Sequence, residues 1–427
     1  MSSMHFSPQT LVAVAVSIFL ACPGLAQEAE PTTKKYALAE LVGLALKSTP
    51  FLTAQDARLE EKTLSSAQAR IWQGPSAGLL FGRTKQTEAS GSRYELSLAQ
   101  PIPLTGIPGL RGRLLGLESE SLRVQRAASE VMVTLSVAQG AYEYAASRRK
   151  AAFAASRRKR FELIQSYLAG RVFATPQRMA ESRIVTNRVK NLVAEAIRGE
   201  ASYKASLEKL KTYVPLDSAT YPDIDVPWLS GTHGLDEKEL LNKTLTDNPE
   251  LRAQKLTVQG AGLEKTLASR EGLPDTSIVG SYENGQADII GRSYGLGLSL
   301  AFPSWNRNHS GIKSAEQKRL AEERLLNYAE QKLKAELLRA LVEYEAARQV
   351  VLKYPPETLA ELEGQLKGAD EGFRKGQVDL LTFLELDGSA AETYGLALDA
   401  QADLAAKAAE VLALTADRDA LTKLASF

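Results

Sequence analysis

The chain says the same thing twice. Shifted by 200 residues, it lines up with itself: Tyr94, Leu96, Leu98 and Pro103 fall on Tyr294, Leu296, Leu298 and Pro303. "YEYAASR" (142–148) falls on "VEYEAAR" (342–348), and "LKSTPFLTAQ" (46–55) falls on "LTDNPELRAQ" (245–254) at an offset of 199. "YLAGRV" (167–172) matches "FRKGQV" (373–378) at an offset of 206. A drifting offset means small insertions between two otherwise parallel halves. A period near 200 residues is far too long for a solenoid repeat, so the chain is a tandem duplication.

Both halves carry one order of elements. A moderate helix comes first, predicted at about 37–72 and 236–271. Two short strands follow, at 76–84 and 94–100 in the first half and at 276–284 and 294–302 in the second. The loops between them are polar, and Asn284-Gly285 is a hairpin turn signal. A very long helical stretch comes next, at about 108–166 and 310–370. In the second, Leu326, Leu333, Leu337, Leu341 and Tyr344 are spaced 7, 4, 4 and 3 apart, which is a helical stripe. Sixty residues make ~90 Å of helix, longer than any single globular core requires. Gly170 and Gly376 break these stretches, and a last helix returns at about 176–212 and 379–424. Thr175-Pro176 is a good N-cap and N1 pair, and Asp379 caps its counterpart. The domains expected are thus a first repeat over 37–212 with its hairpin at 108–212, a Pro- and Asp-rich linker over 213–235, and a second repeat over 236–424 with its hairpin at 310–424.

Residues 1–26 read as a secretory signal peptide. An apolar run of about a dozen residues ends at Pro23-Gly24, with small residues at −3 (Gly24) and −1 (Ala26). The segment before it has no Lys or Arg. Cys22 is the chain's only cysteine; it leaves with the peptide, or, on a lipoprotein reading, is acylated as the first mature residue. Cleavage after Ala26 leaves no thiol for a disulfide or a thiolate metal site. After this segment no run of 18 apolar residues occurs, so no helix is expected to span a membrane.

The second strand pair is sided. Tyr294, Leu296, Leu298, Leu300 and Phe302 alternate with Gly295, Gly297, Ser299 and Ala301. Tyr94, Leu96 and Leu98 alternate with Glu95, Ser97 and Ala99 in the first half. A soluble sheet with a covered large face has this pattern, and so has a membrane strand with its large residues toward lipid. Four strands cannot close a barrel, and open edges do not survive in lipid. Transmembrane strands would therefore require several chains to share one barrel, twelve strands in a trimer. Pro101, Pro103 and Pro303 mark the strand-to-helix junctions, where a missing donor ends the ladder.

From these residues the chain resembles the outer-membrane efflux channels, the TolC-like outer-membrane factors. "LSLAFPSWNRNHSGIKSAEQ" (298–317) is similar to the segment after that family's fourth strand, and "LAQPIPLTGIPGLRGR" (98–113) to its counterpart in the first half. "GFRKGQVDLLTFLELDGS" (372–389) resembles the second hairpin tip. The nearest branch is the CzcC-like metal-efflux one, although Trp305-Asn306 stands where that branch often has Phe-Asp. The resemblance implies an α+β membrane fold: a trimeric α/β-barrel channel, with four transmembrane strands per chain and long periplasmic helical hairpins. It implies the outer membrane of a Gram-negative bacterium, a homotrimer, a periplasmic adaptor at the tips and an inner-membrane transporter beyond it. Gly170, Val172, Gly376 and Val378 would be the adaptor-docking tips. Asp379, Glu385 and Asp387 would ring the periplasmic aperture, and a solvated N-cap and first-turn acids give the same sequence.

Other chemistries find little support. Net charge is +1, and the basic clusters at 147–150 and 156–160 read as solvated helix faces, so nucleic acid is not expected. Gly295-x-Gly297 lies inside a strand and is no phosphate loop. His233 and His309 are the only histidines after the signal segment and stand far apart, so no metal site or cofactor is expected. No nucleophile and base stand together, so no enzyme is expected. The reading is a passive export conduit, for heavy-metal cations if the CzcC-like branch holds. The alternative is a soluble periplasmic coiled-coil adaptor or scaffold.

Overall fold

Proline placement divides the early helices. The computed structural model describes residues 34–85, 90–169, 175–216, 221–232, 234–285, 291–302, 307–417, 419 and 422–424. The signal segment with Cys22, the tip residues Gly170 and Val172, and the junction residue Pro303 lie outside the described residues. Each repeat opens on two helices rather than the single one expected: α1 (Leu38–Ser48) and α2 (Pro50–Ala69), then α5 (Glu237–Asp247) and α6 (Pro249–Arg270). Pro50 and Pro249 push the residues before them out of the helical region. Thr49 sits at φ −68°, ψ 117° and Asn248 at φ −55°, ψ 125°. Both cap residues also close their own repeat. Thr49 Oγ1 donates to the Tyr213 carbonyl at 3.0 Å, and Asn248 Nδ2 to the Leu414 carbonyl at 2.9 Å.

A short parallel pair ties the linker to the start of the first repeat. β1 (Lys35–Ala37) pairs in parallel with β4 (Asp223–Asp225). The four expected strands are β2 (Ser76–Lys85), β3 (Ser90–Ile102), β5 (Asp275–Gly285) and β6 (Arg292–Ala301). They form one antiparallel sheet in the order β2-β3-β5-β6, so the two repeats join at β3 and β5. No described strand pairs with the outer side of β2 or of β6.

The long helices are α3 (Ile107–Ala169), α4 (Pro176–Lys211), α7 (His309–Val351), α8 (Thr358–Arg374) and α9 (Leu380–Leu414). The 63 residues of α3 make ~95 Å of helix. Near the sheet α2 packs on α3, α3 on α6 and α6 on α7. Farther away α4 packs on α3, α3 on α9, and α9 on α7 and α8. The stretch expected as continuous over 310–370 is broken. Pro355-Pro356 lack amide donors, and the chain turns between α7 and α8. The first repeat has no proline at the equivalent place, and α3 runs on unbroken.

The apolar core is drawn out along the bundle in three clusters. The largest joins α1, α3, α4, α7 and α9 around Leu41, Tyr144, Leu210 and Leu404. The second packs Leu366, Tyr394 and Leu398, with the Phe153 and Tyr394 rings stacked 3.9 Å apart. The third lies near the hairpin ends around Phe161, Ile164, Leu192 and Phe383. The predicted stripe on α7 is the inward one: Leu333, Leu337 and Tyr344 are buried and Leu341 partly so.

Candidate functional site

The register fixes which strand residues share a face. Phe81 lies opposite Tyr94, Leu79 opposite Leu96 and Ala77 opposite Leu98. Leu96 lies opposite Tyr282, Tyr282 opposite Tyr294, Gly280 opposite Leu296 and Ile278 opposite Leu298. These residues make one continuous apolar face across all four strands, and none of the described residues covers it. Leu296 is 85% exposed, Tyr294 78% and Phe81 73%. Tyr282 packs between Tyr94 and Tyr294, with ring centroids 6.2 and 5.2 Å away.

The opposite face is mostly small or charged, with Leu80 and Val279 its large apolar residues. It carries Gly78, Ser97, Ser281, Gly295, Gly297 and Ser299, with Arg93, Glu95 and Glu283 among them. A side chain at Gly295 would come within 2.5 Å of Ser281 Oγ, so glycine lets these strands lie close. Arg93 Nε contacts Glu283 Oε1 at 2.6 Å, and Arg93 Nη2 lies 4.0 Å from Glu95 Oε2. A charge on a lipid-facing strand position costs about 2–4 kcal/mol at the bilayer midplane, so this face suits a polar lumen and the other suits lipid. Among the described residues no helix is long and apolar enough to cross a membrane.

The junctions refine the expected role of proline. Pro101 is inside β3, opposite Ser277 of β5, and does not end it. β2 has already stopped at its partner Ala99, so β3 is an edge at that point, where a missing donor is tolerated. Pro103 is the stop. Its carbonyl accepts from Gly106 N at 3.1 Å, Gly106 takes φ +71°, and α3 begins one residue later. At the second junction Arg307 and Asn308 adopt positive φ, and Asn308 Nδ2 donates to the Ala268 carbonyl at 2.9 Å. Gly272 lies against this turn, where a side chain would come within 2.5 Å of the Arg307 carbonyl oxygen.

At the hairpin end Gly376 takes φ +75°. Gln377 N donates to Gly372 O at 2.8 Å and Gly376 N to Phe373 O at 3.0 Å, a Schellman motif that needs a glycine here. Gly376 is exposed, while Val378 is half-buried against the Phe161 cluster. Asp379 is exposed at the N-cap position of α9; hydrogen bonding, first from the Thr382 hydroxyl, holds its carboxyl below the ordinary range. Glu385 is exposed on the stripe that carries Leu381.

Asp387 is placed otherwise than the aperture expectation has it. It is fully buried and joins three helices. Arg157 of α3 donates to it twice, Nε to Oδ1 at 3.0 Å and Nη2 to Oδ2 at 2.6 Å. Arg188 of α4 donates to Oδ2 at 3.1 Å, and Arg157 Nη1 also reaches Glu195 at 3.0 Å. A carboxylate so enclosed cannot line an aperture; it is the anchor of a structural network. The sequence reading puts Arg157, in the basic cluster 156–160, on a solvated face; it is buried instead, and its position carries the signal. It stands 4, 7 and 11 residues before Phe161, Ile164 and Leu168, on their buried stripe. Among the described residues no cluster of His, Cys, Asp and Glu could hold a metal ion.

Residues 240–418 match the outer membrane efflux protein family. No curated protein sequence matches the chain. Among solved structures, CusC, reported in a study of transmembrane channel formation, superposes with a TM-score of 0.71 at 12% identity, over 88% of this chain and 91% of its own. The CmeC outer membrane channel of Campylobacter jejuni gives 0.72 at 14%, over 91% and 89%. The MtrE outer membrane channel of Neisseria gonorrhoeae, in its open state, gives 0.67 at 16%, over 89% and 88%. By sequence most of the second repeat thus resembles the outer membrane efflux protein family, and the whole chain shares the fold of these outer-membrane channels.

Proposed function

We propose that the protein is the outer-membrane channel of a tripartite efflux assembly, a passive conduit from the periplasm and an inner-membrane pump to the exterior. One observation carries this reading. The open edges of the sheet and of the helical layer coincide. β2 follows α2 on one side and β6 precedes α7 on the other, so one flank offers β2 and α2 while the opposite flank offers β6 and α7. Copies joined flank to flank form a heterologous contact, which gives a ring where the rotation from copy to copy closes. Three copies supply twelve strands and leave no edge in lipid. Exposed Leu325 and Tyr328 on α7, and exposed Phe51 and Leu64 on α2, supply apolar residues for the same contact.

The hairpin ends are the docking surface for a periplasmic adaptor, through Gly376 and Val378 and their first-repeat counterparts Gly170 and Val172. Asp379 and Glu385 supply exposed carboxylates near the tunnel mouth, three of each per trimer. Heavy-metal cations as cargo are supported by the acidic excess of the small face, where Glu95, Glu283 and Asp275 face a single Arg93.

Fractionation tests the channel reading. Detergent-extracted trimers from the outer membrane are expected; a buffer-soluble monomer would overturn it and favour a periplasmic scaffold. Cargo is tested by deleting the gene and comparing sensitivity to metal salts and to hydrophobic drugs. Unchanged metal sensitivity would remove the cation cargo and leave the channel standing.

A further inference from the structure

The apolar face of the sheet ends in two arginines. Arg83 pairs with Ser92, and Arg292 pairs with Asn284. That register puts both on the face of Phe81, Tyr94, Tyr282 and Tyr294, opposite to the face that carries Arg93. Each lies two residues beyond an aromatic, Phe81 or Tyr294, which is about 7 Å farther along the strand. Both are exposed. Both sit beside the hairpin turns, at the end of the sheet away from the helices. Neither forms an ion pair with another described residue, whereas Arg93 has two acidic neighbours.

An arginine on a lipid-facing strand is tolerated where the bilayer becomes polar, and an aromatic girdle marks that level. On the channel reading, on which this inference rests, the turns face outward and the arginines stand at the headgroups of the outer leaflet. Ring closure places β6 of one copy beside β2 of the next. Arg292 of one subunit then stands at the same end as Arg83 of its neighbour, so a trimer has three two-arginine clefts at its subunit seams. A guanidinium presents paired donors that match phosphate oxygens, and two of them form a site for a dianion.

We infer that Arg83 and Arg292 form, across each subunit seam, a binding site for the phosphate groups of an outer-leaflet glycolipid. Such a lipid would bridge two chains and hold the seam from outside. The tyrosine and phenylalanine rings below would lie along its acyl chains.

The full-length trimer can be reconstituted with bisphosphorylated lipid A or with the same lipid stripped of phosphate, and the retained lipid counted by native mass spectrometry. Retention of the phosphorylated form should exceed that of the stripped form by roughly tenfold. In Arg83→Gln/Arg292→Gln the preference should vanish, and in Arg83→Lys/Arg292→Lys most of it should persist. Equal retention of the two lipids by the unaltered protein would overturn the site, and so would an unaffected Gln variant. If the Gln variant does not assemble, the two lipids on the unaltered trimer decide alone. A chain that enters neither bilayer overturns the channel reading itself and this inference with it, an outcome distinct from a trimer that inserts but ignores phosphate.

Discussion

Arg148 and Arg348, 200 residues apart and equivalent in the two repeats, hold the two ends of one strap. Arg148 Nη1 donates to the Pro222 carbonyl at 3.1 Å, and Arg348 Nη1 donates to the Gly231 carbonyl at 3.1 Å. Between them runs the segment that joins the repeats. Gln401 of α9 pairs with both backbone groups of Leu229, at 2.8 and 2.9 Å, and Tyr142 and Tyr144 of α3 donate to the Pro227 and Pro222 carbonyls. The duplicated Glu-Tyr pair before each arginine is reused as well. Glu143 binds Lys209 of α4 at 2.7 Å, and Glu343 binds Lys407 of α9 at 2.5 Å.

Gln401→Leu should therefore loosen the strap. It leaves the buried amide and carbonyl of Leu229 without partners, at a cost of about 1–3 kcal/mol each. Hydrogen exchange over residues 221–232 is expected to speed up while exchange in α3 stays slow. Unchanged protection at Leu229 would refute the strap's dependence on this side chain.

Asp387→Ala should strand Arg157 in the core near the hairpin ends. Removing one partner of a buried ion pair costs about 3–5 kcal/mol. Thermal unfolding of the purified protein is expected to begin at lower temperature. Replacing both partners, as in Arg157→Met/Asp387→Leu, should recover much of the loss. A double variant no better than the single one would show that the packing, and not the stranded charge, sets the effect.

That pair also shows what the sequence made legible and what it hid. Asp387 lies on the stripe of Leu380, Phe383, Ala390 and Tyr394, spaced 3, 4, 3 and 4 apart, and Arg157 lies on the stripe of Phe161 and Ile164. Read by helical phase, both charges point inward; read by the run of acids around Asp379, Asp387 passes for a surface group. The strands and the duplication were plain because a period of two and a repeat of whole motifs are local patterns. The breaks at Pro50, Pro249 and Pro355-Pro356 were also written locally, but the apolar stripe runs across them. Pro101 could not be placed without the sheet, because whether a strand tolerates proline depends on where its neighbour ends.

Acid should release the C-terminal turn. Asp417 is buried beside Lys243, at 2.6 Å, and Lys423. Burial pushes its carboxyl up, but the two ammonium groups outweigh this and hold it below the ordinary value. A carboxyl with a depressed folded value contributes its full stability above its unfolded value, about 4, and loses it as pH falls through the folded value. Unfolding temperature is therefore expected to fall below about pH 4 more steeply in the unaltered protein than in Asp417→Asn. Parallel curves would remove this carboxyl from the acid response.

The small face of the sheet should favour cations. Replacing Glu95 and Glu283 with Gln leaves Arg93 without its acidic neighbours and reverses the local sign. In planar bilayers under a salt gradient, the reversal potential of the double variant is expected to move toward anion preference. A reversal potential equal to that of the unaltered channel would mean that these residues do not face the conducting path.

The two open flanks have a genetic consequence. In a ring of three, every subunit is donor to one neighbour and acceptor from the other, so one chain with a damaged β2 or β6 breaks the circle for its two sound partners. Such an allele should act dominantly in a cell that also makes the intact protein. A lesion confined to the strap between the repeats, a contact within one chain, should be recessive.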